Sequence, residues 1–273
     1  MKKILILGGS GLVGRSLINE LRDGYEVYGT YSSKTITNLP DDKQFQLDVQ
    51  EISKMMELIS SIQPDSIISC IRGEFGQQLK FHKELAKVVR NINSNLYYFS
   101  TTNVFDGDFS KPHTETDVPI AESEYGNFKI DCENILKEIL GEKVRIIRIP
   151  AIWGKDSPRW NSFKESIRNS KEIEVYSNLE CTNLLDVQLA RQLRFIIENN
   201  LKGIFHLGSV DTMTQSQFYE KLLIHSDSKS SLLKYNFYLD SSNTYFFALK
   251  STRDDMPEYL QTTNEEIISY LLG

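Results

Sequence analysis

The chain has 273 residues and a formal net charge of -6, and its composition is 40% hydrophobic and 25% charged. These values are typical of a globular protein that can bury a sizeable core. The sequence contains no Lys/Arg block, which argues against nucleic acid as the main partner, and no apolar run approaches the ~20 residues that cross a bilayer. We therefore expect a small-molecule partner, with no nucleic acid and no membrane.

The N-terminus, MKKILILGGSG, has the lysines of a secretory signal, but its apolar run is too short and leads straight into glycines. It predicts a buried first strand. The cysteines are few, odd in number and far apart, which favours a reducing, cytoplasmic environment. The histidines show no ligand-like spacing with one another or with the cysteines, so we expect no metal. These residues are Cys70, Cys132, Cys181, His82, His113, His206 and His225.

Short apolar runs alternate with amphipathic segments through the first half of the chain. The strand candidates are KKILILG, YEVYGTY, FQLDV, DSIISC, LYYFST and VRIIRIP. Helical spacing of apolar residues occupies residues 12–22, 50–61, 75–93 and 123–140. Helical connections between short apolar strands predict an α/β fold with a Rossmann-like, doubly wound parallel sheet.

The order of elements becomes less regular after Ile152, where a helical SFKESIRN, a helix over residues 186–198 and a strand GIFHLG follow. We expect a Rossmann domain over residues 1–152. Residues 153–273 are expected to form mainly a smaller substrate-binding cap, with segments near 183–210 returning to the first domain.

A glycine-rich turn follows the first predicted strand, in GGSGLVGRSLINEL. It satisfies both Gly9-x-Gly11-x-x-Gly14 and Gly8-x-x-Gly11-x-x-Gly14. Glycines permit a tight turn, close approach of backbone N–H groups to a pyrophosphate and close packing of helix on strand. A simple tight turn is the other interpretation, but the strand before and the helix after favour dinucleotide binding. The expected cofactor contacts here are Gly8, Gly11, Leu12, Val13 and Gly14.

The second strand ends in Thr30-Tyr31-Ser32-Ser33-Lys34, where an NAD-binding chain usually carries an acidic residue. Glu26 lies at the other end of that strand. No side chain in this stretch repels a 2′-phosphate, and Ser32, Ser33 and Lys34 can bind one. NADP(H) is therefore favoured, with NAD(H) as the alternative and a solvated loop as the other interpretation of Lys34.

Two further strand ends are expected beside the cofactor, because ligands of a parallel sheet lie beyond the carboxyl ends of its strands. FQLDV places Asp48, followed by Val49, within reach of an adenine amino group, although strand-end capping explains Asp48 equally well. The fourth strand runs into Cys70, Ile71 and Arg72. We expect these three residues to flank the cofactor, with Arg72 also on the substrate side.

A candidate catalytic group spans the fifth strand and the helix after it. Thr101 leaves the strand where its hydroxyl can point into the same crevice as Tyr125, which precedes Lys129 by one helical turn in SEYGNFKIDCEN. One interpretation is a Lys stem that covers a surface ring. The other is an ammonium that lowers the phenol pKa and makes Tyr125 a proton donor near neutral pH.

Together with the glycine turn, Thr101, Tyr125 and Lys129 make the chain resemble the extended short-chain dehydrogenases/reductases, whose signature is Ser/Thr followed by Tyr-x-x-x-Lys. More narrowly, FSTTNVFDG, TETDVPIAESEYGNFK and RIPAIWG resemble the dTDP-4-dehydrorhamnose reductase family, with S-T-D-Y-V-F-D-G, E-x-D, Y-G-x-x-K and R-T-x-W-x-Y-G in that order. The resemblance implies reduction of a keto group on a nucleotide-activated sugar by a nicotinamide cofactor. Tyr125 would protonate the developing alkoxide, and Thr101 would donate a hydrogen bond to it. Tyr125 and Lys129 are also expected cofactor contacts, Lys129 at the nicotinamide ribose.

Positions on the expected substrate side depart from the family pattern. Thr102 and Asn103 replace Asp-Tyr, and Ala151, with Trp153 two residues later, stands where the family has Trp. The expected substrate contacts are Arg72, Asn103, Trp153 and Arg253, the last at a nucleotide phosphate. Core packing is the other interpretation of Trp153, and a surface salt bridge that of Arg253.

Two other functions stay open from the sequence. A nucleotide-sugar epimerase or dehydratase would use the same three residues with tightly bound NAD. A non-catalytic regulatory subunit is the other, because the regulatory subunit of methionine adenosyltransferase resembles this reductase branch too. A homodimer that pairs through helices, as related folds often do, is compatible with the sequence.

Overall fold

A computed structural model describes residues 1–224 and 230–273 of the chain, so His225 lies outside the described residues. Strands and helices alternate through the first half as expected. The strands are β1 (Lys3–Leu7), β2 (Glu26–Tyr31), β3 (Gln44–Gln46), β4 (Ser66–Ser69), β5 (Asn95–Thr101) and β6 (Val144–Ile149). The helices between them are α1 (Leu12–Leu21), α2 (Ile52–Ile62), α3 (Phe75–Arg90) and α4 (Glu124–Leu140). The third strand is shorter than FQLDV predicts, because the chain turns at Asp48.

The second half contains shorter strands. These are β7 (Ala151–Trp153), β8 (Ile173–Tyr176), β9 (Leu179–Cys181), β10 (Asn183–Leu185), β11 (Gly203–His206), β12 (Met213–Thr214), β13 (Leu233–Asn236) and β14 (Tyr245–Phe247). The helices are α5 (Pro158–Arg168), α6 (Asp186–Glu198), α7 (Gln215–Ile224) and α8 (Asn264–Leu272).

Within the described residues, seven strands form one parallel sheet in the order β11-β6-β5-β4-β1-β2-β3. This confirms the predicted Rossmann-like α/β class. The strand order reverses between β1 and β4, and open α/β sheets bind ligands beyond the carboxyl ends of their strands at such a reversal. The fold therefore places the loops after β1, β4 and β5 around one crevice.

Alternate residues of the central strands face opposite layers of helices, because side chains alternate between the two faces of a strand. On β1, Ile4 and Ile6 pack in the same apolar cluster as α1 and α6, whereas Leu5 and Leu7 pack with α2, α3 and α4. All four side chains are fully buried. Burial stabilises the fold by roughly 1.5–3 kcal/mol for each side chain of this size. These two layers hold the sheet, and thus its carboxyl edge, in place.

The cap is built on a separate apolar cluster. β7 pairs with β10, β9 with β12 and β14, and β8 with β13. Trp153, Trp160, Phe163 and Phe218 lie in the cluster that β7, β8, β10, β12 and β13 share with α5, α7 and α8. α6 and β11 return to the seven-stranded sheet, whereas the boundary near residue 152 stays a prediction.

Several chemical features of the chain concern thiols, metals and membranes. All three cysteines are free thiols. Among residues 1–224 and 230–273, the His, Cys, Asp and Glu side chains form no group of three that could hold a metal ion. None of the helices in these ranges is long and apolar enough to cross a bilayer.

Candidate active site

The turn between β1 and α1 needs glycine at positions where a side chain does not fit. Gly8 has a φ of 82°, and its N–H donates to Thr30 Oγ1 at 3.0 Å. A Cβ on Gly8 would lie 2.9 Å from the carbonyl oxygen of Cys70, and a Cβ on Gly14 would lie 2.6 Å from that of Gly8. The glycines therefore let β1, the chain after β4 and α1 meet closely at this turn.

The start of α1 suits an anionic group. Gly11 precedes the helix in extended conformation, and Leu12, Val13 and Gly14 form its first turn. The first N–H groups of a helix have no acceptor within it, and the helix dipole favours negative charge there. Backbone donors in a cradle that a Cβ would fill fit the pyrophosphate of a dinucleotide, so the residues present match the implied cofactor.

The loop after β2 carries the residues predicted to bind a 2′-phosphate. Ser32, Ser33 and Lys34 are exposed there. The Ser32 carbonyl accepts a hydrogen bond from Gln46 Nε2 at 2.9 Å, which ties the loop to β3. Glu26 lies at the opposite end of β2 and accepts from the Tyr28 hydroxyl at 2.7 Å. Two hydroxyls and an ammonium thus stand at this end of the strand.

Asp48 and Val49 follow β3 but differ in their surroundings. Asp48 is exposed, and its carboxylate accepts from the backbone N–H of Gln50 at 3.0 Å. This bond closes the turn before α2, so a capping role is present, and the adenine contact stays a prediction. A Cβ on Gly73 would lie 3.6 Å from Val49 Cγ1, which brings the loops after β3 and β4 together.

The residues after β4 reach toward the catalytic group. The Cys70 N–H donates to the carbonyl oxygen of Leu7 at 2.8 Å, and burial raises the pKa of the Cys70 thiol to about 12, so the thiol is unreactive. Arg72 is exposed, and its charge acts on the pKa values of both Tyr125 and Lys129. The charge of Arg72 therefore reaches Tyr125 and Lys129, whereas the cofactor and substrate contacts of Arg72 stay predictions, as does the cofactor contact of Ile71.

Thr101, Tyr125 and Lys129 meet where β5 and α4 approach each other. Thr101 ends β5, and Tyr125 lies in the first turn of α4 with 38% of its surface exposed. Lys129 is buried, and its Nζ donates to the carbonyl oxygen of Phe99 at 2.9 Å and lies 5.9 Å from the centre of the Tyr125 ring. The structure thus brings the three predicted residues together, with the phenol open to the crevice.

The electrostatics differ from the expectation that Lys129 lowers the phenol pKa. Burial raises the pKa of Tyr125 above its ordinary value, and interaction with the Thr101 hydroxyl and the charge of Arg72 offset this only in part. Burial also lowers the pKa of Lys129 to about 8. The ammonium is directed at the Phe99 carbonyl and lies 4.7 Å from the centre of the Tyr98 ring, which explains the difference.

Asp106 fastens the start of α4 to the short 3-10 helix that follows β5. Its carboxylate accepts from the N–H groups of Glu122 at 2.7 Å and Ser123 at 3.1 Å, and from the Ser123 hydroxyl. Ser123 caps α4 by accepting from the Gly126 N–H at 2.9 Å. Burial raises the pKa of Asp106, but these hydrogen bonds and one from Asn103 outweigh it and hold the pKa below its ordinary value. This carboxylate therefore fixes the position of Tyr125, two residues beyond Ser123.

Sequence reasoning missed two residues that orient Tyr125. Asp106 is one, and the cap signal that would have found its partner is Ser123 just before an amphipathic helix. Phe75 is the other, since its ring centre lies 5.8 Å from that of Tyr125 and it stacks on Phe128 at 4.9 Å. A stacking role for Phe75 has no local sequence signal, because the contact joins α3 to α4.

Trp153 lies apart from this crevice. Only 1% of its surface is exposed, its Nε1 donates to Asn183 Oδ1 at 2.8 Å, and its ring centre lies 5.1 Å from that of Phe218. The side chain fills the cap core, where a substrate cannot reach it. This burial argues against the predicted substrate contact at Trp153.

The Arg253 side chain also binds groups other than those of the crevice. Its guanidinium forms an ion pair with Asp255, with Nε donating to Oδ1 at 2.9 Å. Nη1 donates to the carbonyl oxygens of Lys202 at 3.1 Å and Ile204 at 3.3 Å, and the group lies 4.0 Å from the centre of the Phe205 ring. Arg253 thus covers the outer edge of β11, which argues against the predicted phosphate contact.

Comparisons with known proteins place the fold and the family of the chain. A family model described as the RmlD substrate binding domain matches residues 75–236. The methionine adenosyltransferase 2 subunit beta of Rattus norvegicus is 27% identical over 240 residues, which cover 78% of this chain and 69% of that protein. The dTDP-4-keto-6-deoxy-D-glucose reductase of Streptomyces niveus is 22% identical over 223 residues, 77% of this chain and 74% of that protein. The crystal structure of dTDP-4-dehydrorhamnose reductase from Bacillus anthracis in complex with NADP covers 99% of both chains with a TM-score of 0.81 and 21% identity.

Proposed function

The chain belongs to the RmlD substrate binding domain family, and from this premise we propose that it reduces the keto group of a nucleotide-activated sugar with NADPH. The observation that carries the proposal is the meeting of the glycine turn with Thr101, Tyr125 and Lys129 at the carboxyl edge of one parallel sheet. The names of two similar proteins, a dTDP-4-keto-6-deoxy-D-glucose reductase and a dTDP-4-dehydrorhamnose reductase, support a sugar nucleotide as substrate.

The reaction adds a hydride to the ketone carbon and a proton to its oxygen, which gives an alcohol. A bound nicotinamide supplies the hydride. Tyr125 supplies the proton from the crevice side, and Thr101 donates a hydrogen bond to the same oxygen as negative charge develops. The raised pKa of Tyr125 keeps the phenol protonated before the reaction.

The chain also provides groups that stabilise the phenolate left on Tyr125. An unperturbed phenol near pKa 10 is ~4 kcal/mol away from ionisation at pH 7. The charge of Arg72 lowers the pKa of Tyr125, and Lys129 Nζ, held by its hydrogen bond to Phe99, lies 5.9 Å from the centre of the ring. Lys129 is thus a group that can stabilise phenolate and hold the ribose hydroxyls of the cofactor.

NADP(H) is the form of the cofactor that the loop after β2 supports. Ser32, Ser33 and Lys34 offer two hydroxyls and a positive charge, which suit a 2′-phosphate. The backbone donors of Leu12, Val13 and Gly14 suit the pyrophosphate of either NADP(H) or NAD(H).

Replacement of Tyr125 tests the proposed function. We expect Tyr125→Phe to lower the rate of NADPH oxidation with 4-keto sugar nucleotides by roughly 10²–10⁴-fold, because the proton donor is lost. The affinity for NADPH, measured by calorimetry, stays unchanged, and Tyr259→Phe, at a tyrosine that is 76% exposed, serves as the control. Undiminished turnover by Tyr125→Phe would contradict the proposed mechanism.

A non-catalytic regulatory subunit is the second candidate. The observation that favours it is the 27% identity to a methionine adenosyltransferase 2 subunit beta over 240 residues, a longer match than the 27% identity to a dTDP-4-dehydrorhamnose reductase over 189 residues. Asn103 stands where the sugar reductases have Tyr, and this departure on the substrate side is compatible with a non-catalytic subunit. A stable complex with a methionine adenosyltransferase catalytic subunit, together with no turnover of any 4-keto sugar nucleotide, would select this candidate.

A further inference from the structure

For the reduction proposed above, on which this inference rests, we propose that Asn103 is a positioning residue that competes for the single hydroxyl hydrogen of Thr101. The reductases that this chain resembles have Tyr at position 103, and the sequence alone predicts a substrate contact there. Two hydrogen bonds carry the new assignment. Thr101 Oγ1 donates to Asn103 Oδ1 at 3.1 Å, and the Asn103 N–H donates to Thr101 Oγ1 at 3.3 Å.

Asp106 fixes which end of the Asn103 amide faces Thr101. Asn103 Nδ2 donates to Asp106 Oδ2 at 3.3 Å. An amide turned the other way would place its oxygen against the carboxylate, where both groups are acceptors. The oxygen of Asn103 therefore faces Thr101, and the amide acts there as an acceptor.

The same carboxylate holds both catalytic hydroxyls in register. Asp106 accepts from Ser123 and Glu122, which fixes the first turn of α4 and so the position of Tyr125. Through Asn103 it also fixes the hydroxyl of Thr101 at the end of β5. A single acidic side chain thus orients both the proton donor and its neighbour.

A hydroxyl group has one hydrogen and can donate it to only one acceptor at a time. While Thr101 donates to Asn103, that hydrogen is not available to the phenol oxygen of Tyr125, and the Thr101 hydroxyl offsets only part of the rise in the Tyr125 pKa. When the Thr101 hydroxyl turns toward the crevice, it stabilises negative charge on the phenol oxygen or on the reacting ketone oxygen. Asn103 therefore limits the stabilisation that the Thr101 hydroxyl gives to ionised Tyr125, and its removal frees that hydroxyl.

The other charged or titratable groups around Tyr125 are the same in the proposed variants. Arg72 faces it from the chain after β4, Tyr98 from β5 and Lys129 from its own helix. Because Asn103 contacts Thr101 and Asp106, its replacement leaves these three groups in place. A change in the titration of Tyr125 then reports on the Thr101 hydroxyl.

The direct test is NMR titration of the protein with tyrosine labelled at Cζ, in which the Tyr125 signal is assigned by its loss in Tyr125→Phe. We expect Asn103→Ala to lower the pKa of Tyr125 by about half a unit, the shift that one released neutral hydrogen bond gives. Asn103→Leu, which keeps the side-chain volume and lacks an acceptor, gives the same shift. In the Thr101→Val background, neither replacement changes the titration. Asn199→Ala, in an exposed asparagine at the end of α6, is the matched control.

An unchanged Tyr125 titration in both Asn103 variants would overturn the inference, and so would a shift that persists with Thr101→Val. The pH profile of kcat/KM gives a second readout. Reduction needs protonated Tyr125, so its rate falls as pH rises through that pKa, and Asn103→Ala moves the fall to lower pH by the same amount. A raised KM without this movement, kept in the Thr101→Val background, would instead make Asn103 a substrate ligand.

The titration separates this inference from the proposed function because it needs neither cofactor nor substrate. An Asn103-dependent shift in a protein that turns over no 4-keto sugar nucleotide supports the competition for the Thr101 hydrogen and overturns the reduction. Turnover without any Asn103-dependent shift supports the reduction and overturns the competition.

Discussion

The junction of β5 with α4 and the core of the cap use their side chains in opposite ways. At the junction, Asp106, Asn103 and Ser123 form a hydrogen-bonded network beside a phenol that is 38% exposed. In the cap core, Trp153 and Phe218 are buried and pack ring against ring. The two regions therefore have different roles. Polar groups that hold one another in place lie at the crevice, whereas large aromatic side chains in the cap stabilise the fold.

The largest expected effect concerns the junction. We expect Lys129→Met to reduce kcat/KM for a 4-keto sugar nucleotide by about a thousandfold, because the charge beside the phenolate and the ribose ligand are both removed. Steady-state kinetics with NADPH measures this, with the exposed Lys83→Met on α3 as the matched control. An equal loss of kcat/KM in Lys129→Met and Lys83→Met would contradict a specific role for Lys129 at the junction.

In the cap, we expect replacement of Trp153 to lower the stability of the fold. Trp153→Ala lowers the free energy of unfolding by about 3–5 kcal/mol, because a buried aromatic side chain and its bond to Asn183 are lost. Urea denaturation measures the change, and Trp153→Phe, which keeps a ring, loses less. The affinity for NADPH stays the same. A stable Trp153→Ala protein with a raised KM for the sugar nucleotide would restore Trp153 to the substrate site.

A pH dependence of stability follows from the burial of Lys129, whose pKa is lowered from 10.5 to about 8. Between these values the unfolded chain binds a proton that the folded chain does not, so the free energy of unfolding rises with pH. The contribution is about 3 kcal/mol across the interval. The free energy of unfolding of Lys129→Met, measured by urea denaturation at the same pH values, lacks this rise. The same rise in the free energy of unfolding with pH in both proteins would contradict a buried Lys129 with a lowered pKa.

Arg253 tests whether the outer edge of β11 is structural. Arg253→Ala lowers the free energy of unfolding by about 2 kcal/mol, since the ion pair with Asp255 and hydrogen bonds to two backbone carbonyls are lost. The KM for the sugar nucleotide stays unchanged. A KM increase without a loss of stability would return Arg253 to phosphate binding.

The smallest effect is expected in the loop after β2. Lys34→Ala raises the KM for NADPH by about fivefold, the effect of one exposed charge pair of ~1 kcal/mol, and leaves the KM for NADH unchanged. Kinetics with both cofactors measures it, and the exposed Lys2→Ala near the start of β1 is the control. Equal changes for NADPH and NADH would contradict a 2′-phosphate contact at Lys34.

The parts of the site that sequence predicts are those whose partners lie close along the chain. The glycine turn fits between adjoining elements, and Tyr125 and Lys129 share one helical turn, so their spacing carries the information. Roles that depend on distant partners were not accessible. Asp106 contacts Ser123 across 17 positions, and the Arg253 guanidinium contacts the Ile204 carbonyl across 49.

The parallel sheet was predictable for a similar physical reason. Apolar runs that are buried on both faces, such as ILIL in β1, leave little choice but a strand covered by helices on each side. The pairing of the short cap strands was not predictable, because β8 pairs with β13 and β9 with β14 across long stretches of chain. Such pairs of three or four residues carry too little pattern to identify a partner.

Transfer of deuterium tests the central claim most directly. The protein is incubated with NADPH that carries deuterium at both C4 positions of the reduced nicotinamide and with a panel of 4-keto sugar nucleotides, and the products are analysed by mass spectrometry. The account predicts an alcohol product with one deuterium on the former ketone carbon, formed by the unmodified protein and lost with Tyr125→Phe. Recovery of every sugar nucleotide without deuterium, from protein that binds NADPH, would contradict it.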